Sequence, residues 1–327
     1  MLILNGDFYA SAGLVKELLI YPMMNRRIRS HLPLKCAYTD CLTLSVGPEF
    51  THIVRIGFYF RSSDSRYLPR FRCNRCHRSF SNARFSPYFG QKKRKLNEPI
   101  RKLLISGVSQ RRIARLLHIS KNTVAKKFVF LAKQAHLQHQ KFLLSLQKQE
   151  AKISTLFFDE MESSERSKCL PVSIPIAVDS NRKILGFRVC SMPAKGRLAK
   201  ISRLKYGVRD DERPQAAEAL WQEIKLCLNT QLKVISDENP HYPFWIRKHF
   251  PNVVHETHPG RRGCVVGQGE LKRGGFDPLF PLNHTAAMLR ANINRLFRRT
   301  WCTTKLKERL SDHILLYVNF HNQVLTA

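Results

Sequence analysis

Acidic residues are scarce in this chain. Its 327 residues hold 24 Asp and Glu against 56 Lys and Arg, a formal net charge of +32. Such a deficit says little about fold but sets the class of partner, because the summed field of the surface draws polyanions. Nucleic acid is the first candidate and an anionic membrane surface the second. Long apolar runs are also missing. No stretch of 18 or more apolar residues occurs, so no membrane-spanning helix is expected. The N-terminus, Met1-Leu-Ile-Leu-Asn-Gly-Asp7, has no basic stretch ahead of a long apolar one, which argues against a signal peptide. The nine cysteines lack the even, regular spacing of a disulfide framework. Four are paired in sequence, and Cys169, Cys190, Cys227, Cys264 and Cys302 are scattered. This usage fits a reduced, cytoplasmic protein with one metal site. Hydrophobic and aromatic residues, at 43% and 10%, are at ordinary levels, which excludes a disordered basic tail. The length suffices for two or three domains.

Residues 1–30 fit no module and are read as an N-terminal arm. Met23 and Met24 stand just ahead of Arg26-Arg27-Ile28-Arg29, so translation is expected to start at one of them; intact mass would decide. Residues 31–86 carry the paired cysteines, Cys36-x4-Cys41 and Cys73-Asn-Arg-Cys76. Two pairs of thiolates suit a tetrahedral zinc site, and so short a segment has too little core to fold easily without metal. The second pair lies in Arg70-Phe-Arg-Cys-Asn-Arg-Cys-His-Arg-Ser-Phe-Ser81. That pattern reads as a zinc-ribbon knuckle: a basic strand, a thiolate turn, then an aromatic that packs beneath the metal. The first pair has a longer loop than the usual ribbon turn, and His31 and His77 are substitute ligands. Thr51 to Phe60 reads as a strand.

Residues 92–150 are basic and then helical. Lys92 to Lys127 holds twelve Lys or Arg and one acid, Glu98. Ser109 can cap one helix, with Ile113, Leu116 and Leu117 as its apolar face; Ser120 can cap a second, which Val124 and Phe128 bury against the first. This is a helix-turn-helix pattern. Arg111, Arg112, Lys121, Asn122, Thr123, Lys126 and Lys127 are its candidate DNA contacts, the last five near the N-terminal end of the second helix, where base edges and phosphates are met. Arg290 and Arg298, further along the chain, are candidate contacts to the DNA backbone. Phe128 to Gln149 reads as a helical linker.

Residues 151–327 read as strand, strand, strand, helix, strand, helix, strand, helix. Ile153-Ser-Thr-Leu-Phe-Phe-Asp159 is the first strand, Pro171 to Val178 and Ile184 to Ser191 a hairpin, and Leu232-Lys-Val-Ile-Ser-Asp237 the fourth strand. Helices are expected at Pro214 to Asn229, His241 to Phe250 and Leu282 to Arg299, and a fifth strand at Val253 to His258. The order matches an α/β core of the ribonuclease-H-like kind. Asp159 and Asp237 each close a strand, where a carboxylate meets solvent and can hold Mg²⁺ or Mn²⁺; phosphodiester cleavage by two such ions needs few hard oxygen ligands. Alternation turns Glu160 and Glu238 to the opposite face, as supporting residues. Asn283 stands where the last helix starts, either as a third ligand or as its cap. An uninterrupted helix would place it on one face with Arg290, Asn294 and Arg298. Arg261, Arg262, Lys272 and Arg273 read as phosphate contacts, and His255 and His258 as structural.

The order of zinc knuckle, helix-turn-helix and paired aspartates resembles transposases of bacterial insertion sequences, typified by insertion sequence one. The resemblance covers roughly residues 31–320. It is carried by Arg72-Cys-Asn-Arg-Cys-His-Arg-Ser-Phe-Ser81, Phe158-Asp-Glu-Met161, Ile235-Ser-Asp237 and the run from Leu289 to Lys305, with its Arg298-Arg-Thr-Trp-Cys-Thr-Thr-Lys305. It implies three domains, a zinc ribbon over 31–86, a helix-turn-helix domain and linker over 92–150, and a ribonuclease-H-like catalytic domain over 151–327. It implies DNA cleavage and strand transfer with two Mg²⁺ or Mn²⁺ ions and a structural Zn²⁺. Asp159 and Asp237 would be metal ligands. The third ligand in the family is commonly Glu, sometimes Asn, at the position of Asn283, with Glu270 and Asp277 as rivals. The expected partners are element-end and target DNA and further copies of the chain, in a bacterial cytoplasm beside the nucleoid. The competing readings are a non-catalytic DNA-binding regulator derived from such an enzyme and a structure-selective nuclease.

Overall fold

Alternating aromatic and basic residues ahead of the second cysteine pair form a small antiparallel sheet. Its strands are β1 (Ile53–Arg61), β2 (Arg66–Cys73) and β3 (Ser79–Ser81), hydrogen-bonded in that order. The computed structural model describes residues 32, 33, 35–41, 52–62, 65–260, 277–297 and 301–325. The arm at 1–30, His31, Cys264, Arg298 and the loop holding Arg261, Arg262, Glu270, Lys272 and Arg273 lie outside them. The chain divides into two compact units, Met1–Phe89 and Gly90–Ala327. In the first, Phe71 and Phe80 pack with Ile53, Cys36, Cys41 and Cys73 into one buried cluster.

The second unit starts with three helices, α1 (Asn97–Leu104), α2 (Gln110–Leu116) and α3 (Lys121–Gln147). Ser109 and Ser120 cap α2 and α3, their side chains accepting from the backbone N–H of Arg112 and Asn122. Each cap satisfies a donor that a helix start leaves orphaned. The chain turns between helices at Gly107 and His118, with φ of +74° and +50°. Ile113, Val124 and Phe128 are buried as expected, but Leu116 is 54% exposed; Ala114 takes the inward place. The second helix and the linker are one continuous α3 of 27 residues.

Then follow β4 (Ile153–Ser164), β5 (Pro171–Asp179), β6 (Ile184–Phe187), β7 (Cys190–Ser191), α4 (Arg197–Tyr206), α5 (Arg213–Ile224), β8 (Leu228–Asp237), α6 (Tyr242–His249), β9 (Val254–His258), α7 (Phe280–Asn292) and α8 (Lys307–Phe320). The strands make a mixed sheet in the order β6-β5-β4-β8-β9, with β7 also pairing β5. β4, β5 and β6 run antiparallel in turn, while β8 is parallel to β4 and β9 to β8. On one face Phe158 of β4 meets Trp221 of α5 and Tyr242 of α6, with ring centroids 4.8 and 4.9 Å apart. Burying each such side chain contributes roughly 2 kcal/mol or more. Gly186 lets α5 lie directly on β6, since a Cβ there would stand 2.5 Å from Leu220 Cδ1. α7 packs on β4 and β5.

Four features differ from the sequence reading. Asp159 does not close its strand, because β4 stays paired with β5 as far as Ser164. The expected strand Ile184 to Ser191 is interrupted, giving β6 and β7. α4 and α8 are helices that the reading did not assign. The last expected helix breaks: α7 ends at Asn292, Ile293 turns extended with φ −112° and ψ 105°, and Asn294–Leu296 is a separate short turn. Asn294 is buried there, so Asn283, Arg290 and Asn294 do not line one continuous helical face. α8 is buried against α3: Asn319 Nδ2 donates to the carbonyl of Ala135, and His313 Nε2 to that of Leu104. Just beyond α8, the Asn322 side-chain amide accepts from the backbone N–H of Ile184 and donates to its carbonyl, at 2.9 Å each. Among the described residues no helix is long and apolar enough to cross a membrane.

Candidate metal centres and nucleic-acid interface

The first unit gathers its four paired cysteines. Their Sγ atoms all lie within 4.8 Å of one another. The short contacts cross the pairs, Cys36 to Cys76 at 3.7 Å and Cys41 to Cys73 at 3.8 Å. A tetrahedral ion with bonds of about 2.3 Å to sulfur needs edges of about 3.8 Å, so the cysteines fit Zn²⁺. The knuckle turns on the backbone N–H of Cys73, which donates to Arg78 O, and on His77 with φ +56°. Burial pushes the Cys36 thiol up to about 12. For Cys76 burial acts the same way, but hydrogen bonds from Arg78 outweigh it and bring that thiol down to about 6. Tyr38 and Phe80 meet edge to face, and the Arg78 guanidinium lies 4.0 Å from the Tyr38 ring centroid while bonding Asp40 at 2.7 Å. Among the described residues these cysteines are the one group of three or more Cys, His, Asp or Glu tight enough for a single ion. His77 is not part of it.

The two aspartates come together through the sheet register. Phe158 of β4 pairs with Ser236 of the parallel strand β8, so the next residues, Asp159 and Asp237, stand side by side. His258 of β9 pairs with Asp237 and completes the row. Burial, and then the charge of Asp237, pushes the Asp159 carboxyl up to about 6. Asp159 Oδ1 accepts from the Tyr242 hydroxyl at 3.1 Å and from the Glu160 N–H at 2.6 Å; Asp237 Oδ1 accepts from the Asn239 N–H at 3.1 Å. Oδ2 of each has no protein donor among the described residues, and the position of a Cβ on Gly260 is 3.8 Å from that of Asp237. Two crowded carboxylates, each with an oxygen left over, suit a hard divalent cation.

Sequence reasoning missed Tyr242. It is a buried tyrosine on an aromatic helix, and only the fold brings its hydroxyl between Asp159 and Glu160, the latter at 3.5 Å. Glu160 is held by the Ser173 hydroxyl at 2.7 Å, while Glu238 is exposed. His255 bonds Ser236 at 2.9 Å, and His258 bonds Glu256 at 2.6 Å. Asn283 is exposed at the start of α7, where its Nδ2 donates to Asp277 Oδ2 at 2.9 Å. The amide therefore keeps its carbonyl oxygen as a ligand atom. Asp277 does not gather with Asp159 and Asp237 into a three-ligand cluster.

On the helix-turn-helix, Arg111, Arg112, Lys121, Asn122 and Lys126 are exposed and Thr123 is half-buried. Lys127 does not share that surface. It is 5% exposed, and its ammonium donates to Gln91 Oε1 at 3.1 Å and to the Lys92 carbonyl at 2.5 Å. Lys126 follows the exposed Asn122 by four along the helix's outer side, whereas Lys127 follows the buried Val124 by three. Arg290 is half-buried on α7.

No protein-family model and no curated protein matches the chain. Among solved structures, the Mos1 strand transfer complex is similar over 69% of this chain and 74% of that one, at 11% identity and a TM-score of 0.28. The Mos1 mariner paired end complex with Mn has the same coverage, 10% identity and a TM-score of 0.23. The Mos1 transposase paired-end complex with left transposon end covers 61% of this chain and 75% of that one, at 10% identity and a TM-score of 0.20. Scores this low carry no functional weight.

Proposed function

We propose that the chain is a DNA transposase, which binds element ends through its cysteine and helix-turn-helix modules and cuts and joins DNA at Asp159 and Asp237. The observation that carries this reading is the register of β4 and β8, which sets two carboxylates side by side with one oxygen of each unclaimed among the described residues. They lie on the neighbouring central strands β4 and β8, which supports reading 151–327 as a ribonuclease-H-like catalytic domain. The charge of +32 and the exposed cations of α2 and α3 supply the polyanion surface. When bound, two Mg²⁺ or Mn²⁺ ions supply the Lewis acidity that phosphodiester transfer needs. Asp159 and Asp237 would hold them, Asn283 would add a neutral carbonyl ligand, and Tyr242 fixes the rotamer of Asp159. Zn²⁺ would bind Cys36, Cys41, Cys73 and Cys76 and hold the small unit together. In the net reaction an attacking hydroxyl forms a new bond to phosphorus, and the bond from phosphorus to the leaving 3′ oxygen breaks. Pairing two ends calls for more than one copy of the chain on DNA.

The test uses DNA carrying the inverted repeats that flank the gene. Asp159→Asn and Asp237→Asn each abolish Mg²⁺-dependent cleavage and strand transfer while end binding persists. Retained activity in both variants sinks the assignment. One observation favours a second reading, a DNA-binding regulator that no longer cuts: Asn283 is an amide, and it is already bonded to Asp277. A wild-type chain that binds these ends yet leaves them intact with either metal would establish that reading.

A further inference from the structure

Beyond Asp159, β4 runs on through Glu162, Ser163 and Ser164, whose side chains enter the wall of a cleft of about 530 Å³. These residues follow Asp159 by three to five positions, roughly 10–17 Å along a strand. Among the described residues four cations line the cleft, Arg166, Lys168, Arg290 and Arg295, together with Ser163 and Ser167. Glu162 is the one acid in the lining among the described residues, and Lys195 pairs with it at 3.1 Å. Leu296 and Phe297 also line it. Phe297 is 38% exposed and is seated against Gly107, where a Cβ would stand 3.0 Å from its Cζ. The Arg295 guanidinium lies 5.9 Å from the Phe128 ring centroid of α3. The cleft thus lies where the helix-turn-helix meets the sheet.

We propose that this cleft binds the phosphodiester backbone of single-stranded DNA leading away from the carboxylate pair. It rests on the reading of that pair as the cutting site. Cations and hydroxyls suit phosphate oxygens, and an exposed aromatic beside them suits the face of a base. The volume falls in the range of clefts that hold a small ligand, about 300–1,000 Å³, and takes a nucleotide. A duplex, whose major groove alone is about 12 Å wide, does not enter it. Burial lowers the pKa of Arg295, so part of its hydration is already stripped, which favours an anion against it.

Equilibrium binding of a labelled thymidine oligomer to the full chain, in chelator and over a series of salt concentrations, tests this. Arg166→Ala/Lys168→Ala changes two exposed side chains. It lowers the slope of log affinity against log salt by about 1.4, at about 0.7 per phosphate of a single strand. Phe297→Ala weakens binding of the oligomer but not of an abasic strand of equal length. An unchanged slope in the double variant overturns the proposal, as does an equal loss for the single strand in Lys121→Ala/Lys126→Ala, which would place the strand on the helix-turn-helix. Inorganic phosphate or thymidine monophosphate binding as tightly as the oligomer identifies a site for lone phosphate and also overturns it. The readout needs no cleavage, so an active Asp159→Asn chain would refute the cutting site and leave this slope untouched.

Discussion

The thiolate cluster and the carboxylate pair are two candidate metal centres built on opposite plans. The thiolates are four alike, drawn together by local turns and a three-stranded sheet, and they cross-contact at distances that leave room for one ion. The carboxylates are two, 78 positions apart in the chain and brought together by the register of β4 and β8, with half of their oxygens already bonded to protein. A closed ligand set makes the metal part of the fold; a sparse, open set leaves room for water and substrate. On the proposed function, a metal bound by side chains would stabilise one unit and be a reagent in the other.

The largest effect expected separates the two by removing metal. Cys73→Ala, or a strong chelator, unfolds the first unit, because structural zinc contributes on the order of 10 kcal/mol to a small module. Circular dichroism and metal analysis check it: one zinc per chain in the wild type, and none in the variant. Removing Mg²⁺ leaves both units folded. A chain whose first unit melts at the same temperature with and without zinc would erase the contrast.

The second prediction concerns pH. The Asp159 carboxyl sits at about 6 in the folded chain against an ordinary 3.8. A raised acid binds protons more tightly when folded, so the metal-free protein loses stability as pH rises from about 4 through 6. The cost is complete above 6, at most about 3 kcal/mol. Asp159→Asn removes it, and the metal-free variant melts higher than the wild type at neutral pH but not at pH 4. Metal affinity moves the other way, since the ion competes with the proton, and falls as the pH drops below about 6. Calorimetric melts with and without Mg²⁺ over this window read both.

A smaller effect is expected from Tyr242→Phe. The ring stays in the core with Phe158, and only the hydroxyl to Asp159 is lost, costing about 1 kcal/mol. Losing a donor to the carboxylate raises the Asp159 pKa further, so the pH at which metal binding is half lost moves upward. A shift in melting temperature with no shift in that pH would reduce Tyr242 to a packing residue. The smallest effect contrasts two neighbouring lysines. Lys126→Ala lowers the salt slope of duplex binding by about 0.9 and leaves the melting temperature alone. Lys127→Ala does the reverse, because its ammonium ties the start of α3 to Gln91 and Lys92.

The contrast between the centres also explains what could be read from sequence. The cysteine pairs and the caps at Ser109 and Ser120 are local patterns, each with its own chemical signature, and the structure places them accordingly. Asp237 closes its strand as read, whereas Asp159 lies within β4, which runs on to Ser164. α8 was not legible because Ile314 to Val318 is a run of consecutive buried residues, which shows neither a helical nor a strand period. α4 lacks a polar cap; glycines, Gly196 and Gly207, stand at its two ends, both at positive φ. The break at Ile293 has no proline or glycine to announce it. Tyr242 and the basic cleft depend on contacts between distant segments, and no spacing rule reaches across them.

The Asn322 amide bound to both backbone groups of Ile184 has a consequence for how the molecule is made. It imitates one rung of a neighbouring strand at the open side of β6, and so blocks that side to another chain. The donor lies 138 residues downstream of the strand it covers. During synthesis the sheet's flank stays adhesive until that segment leaves the ribosome, and a nascent chain stalled before it would be the species most prone to pair with its neighbours.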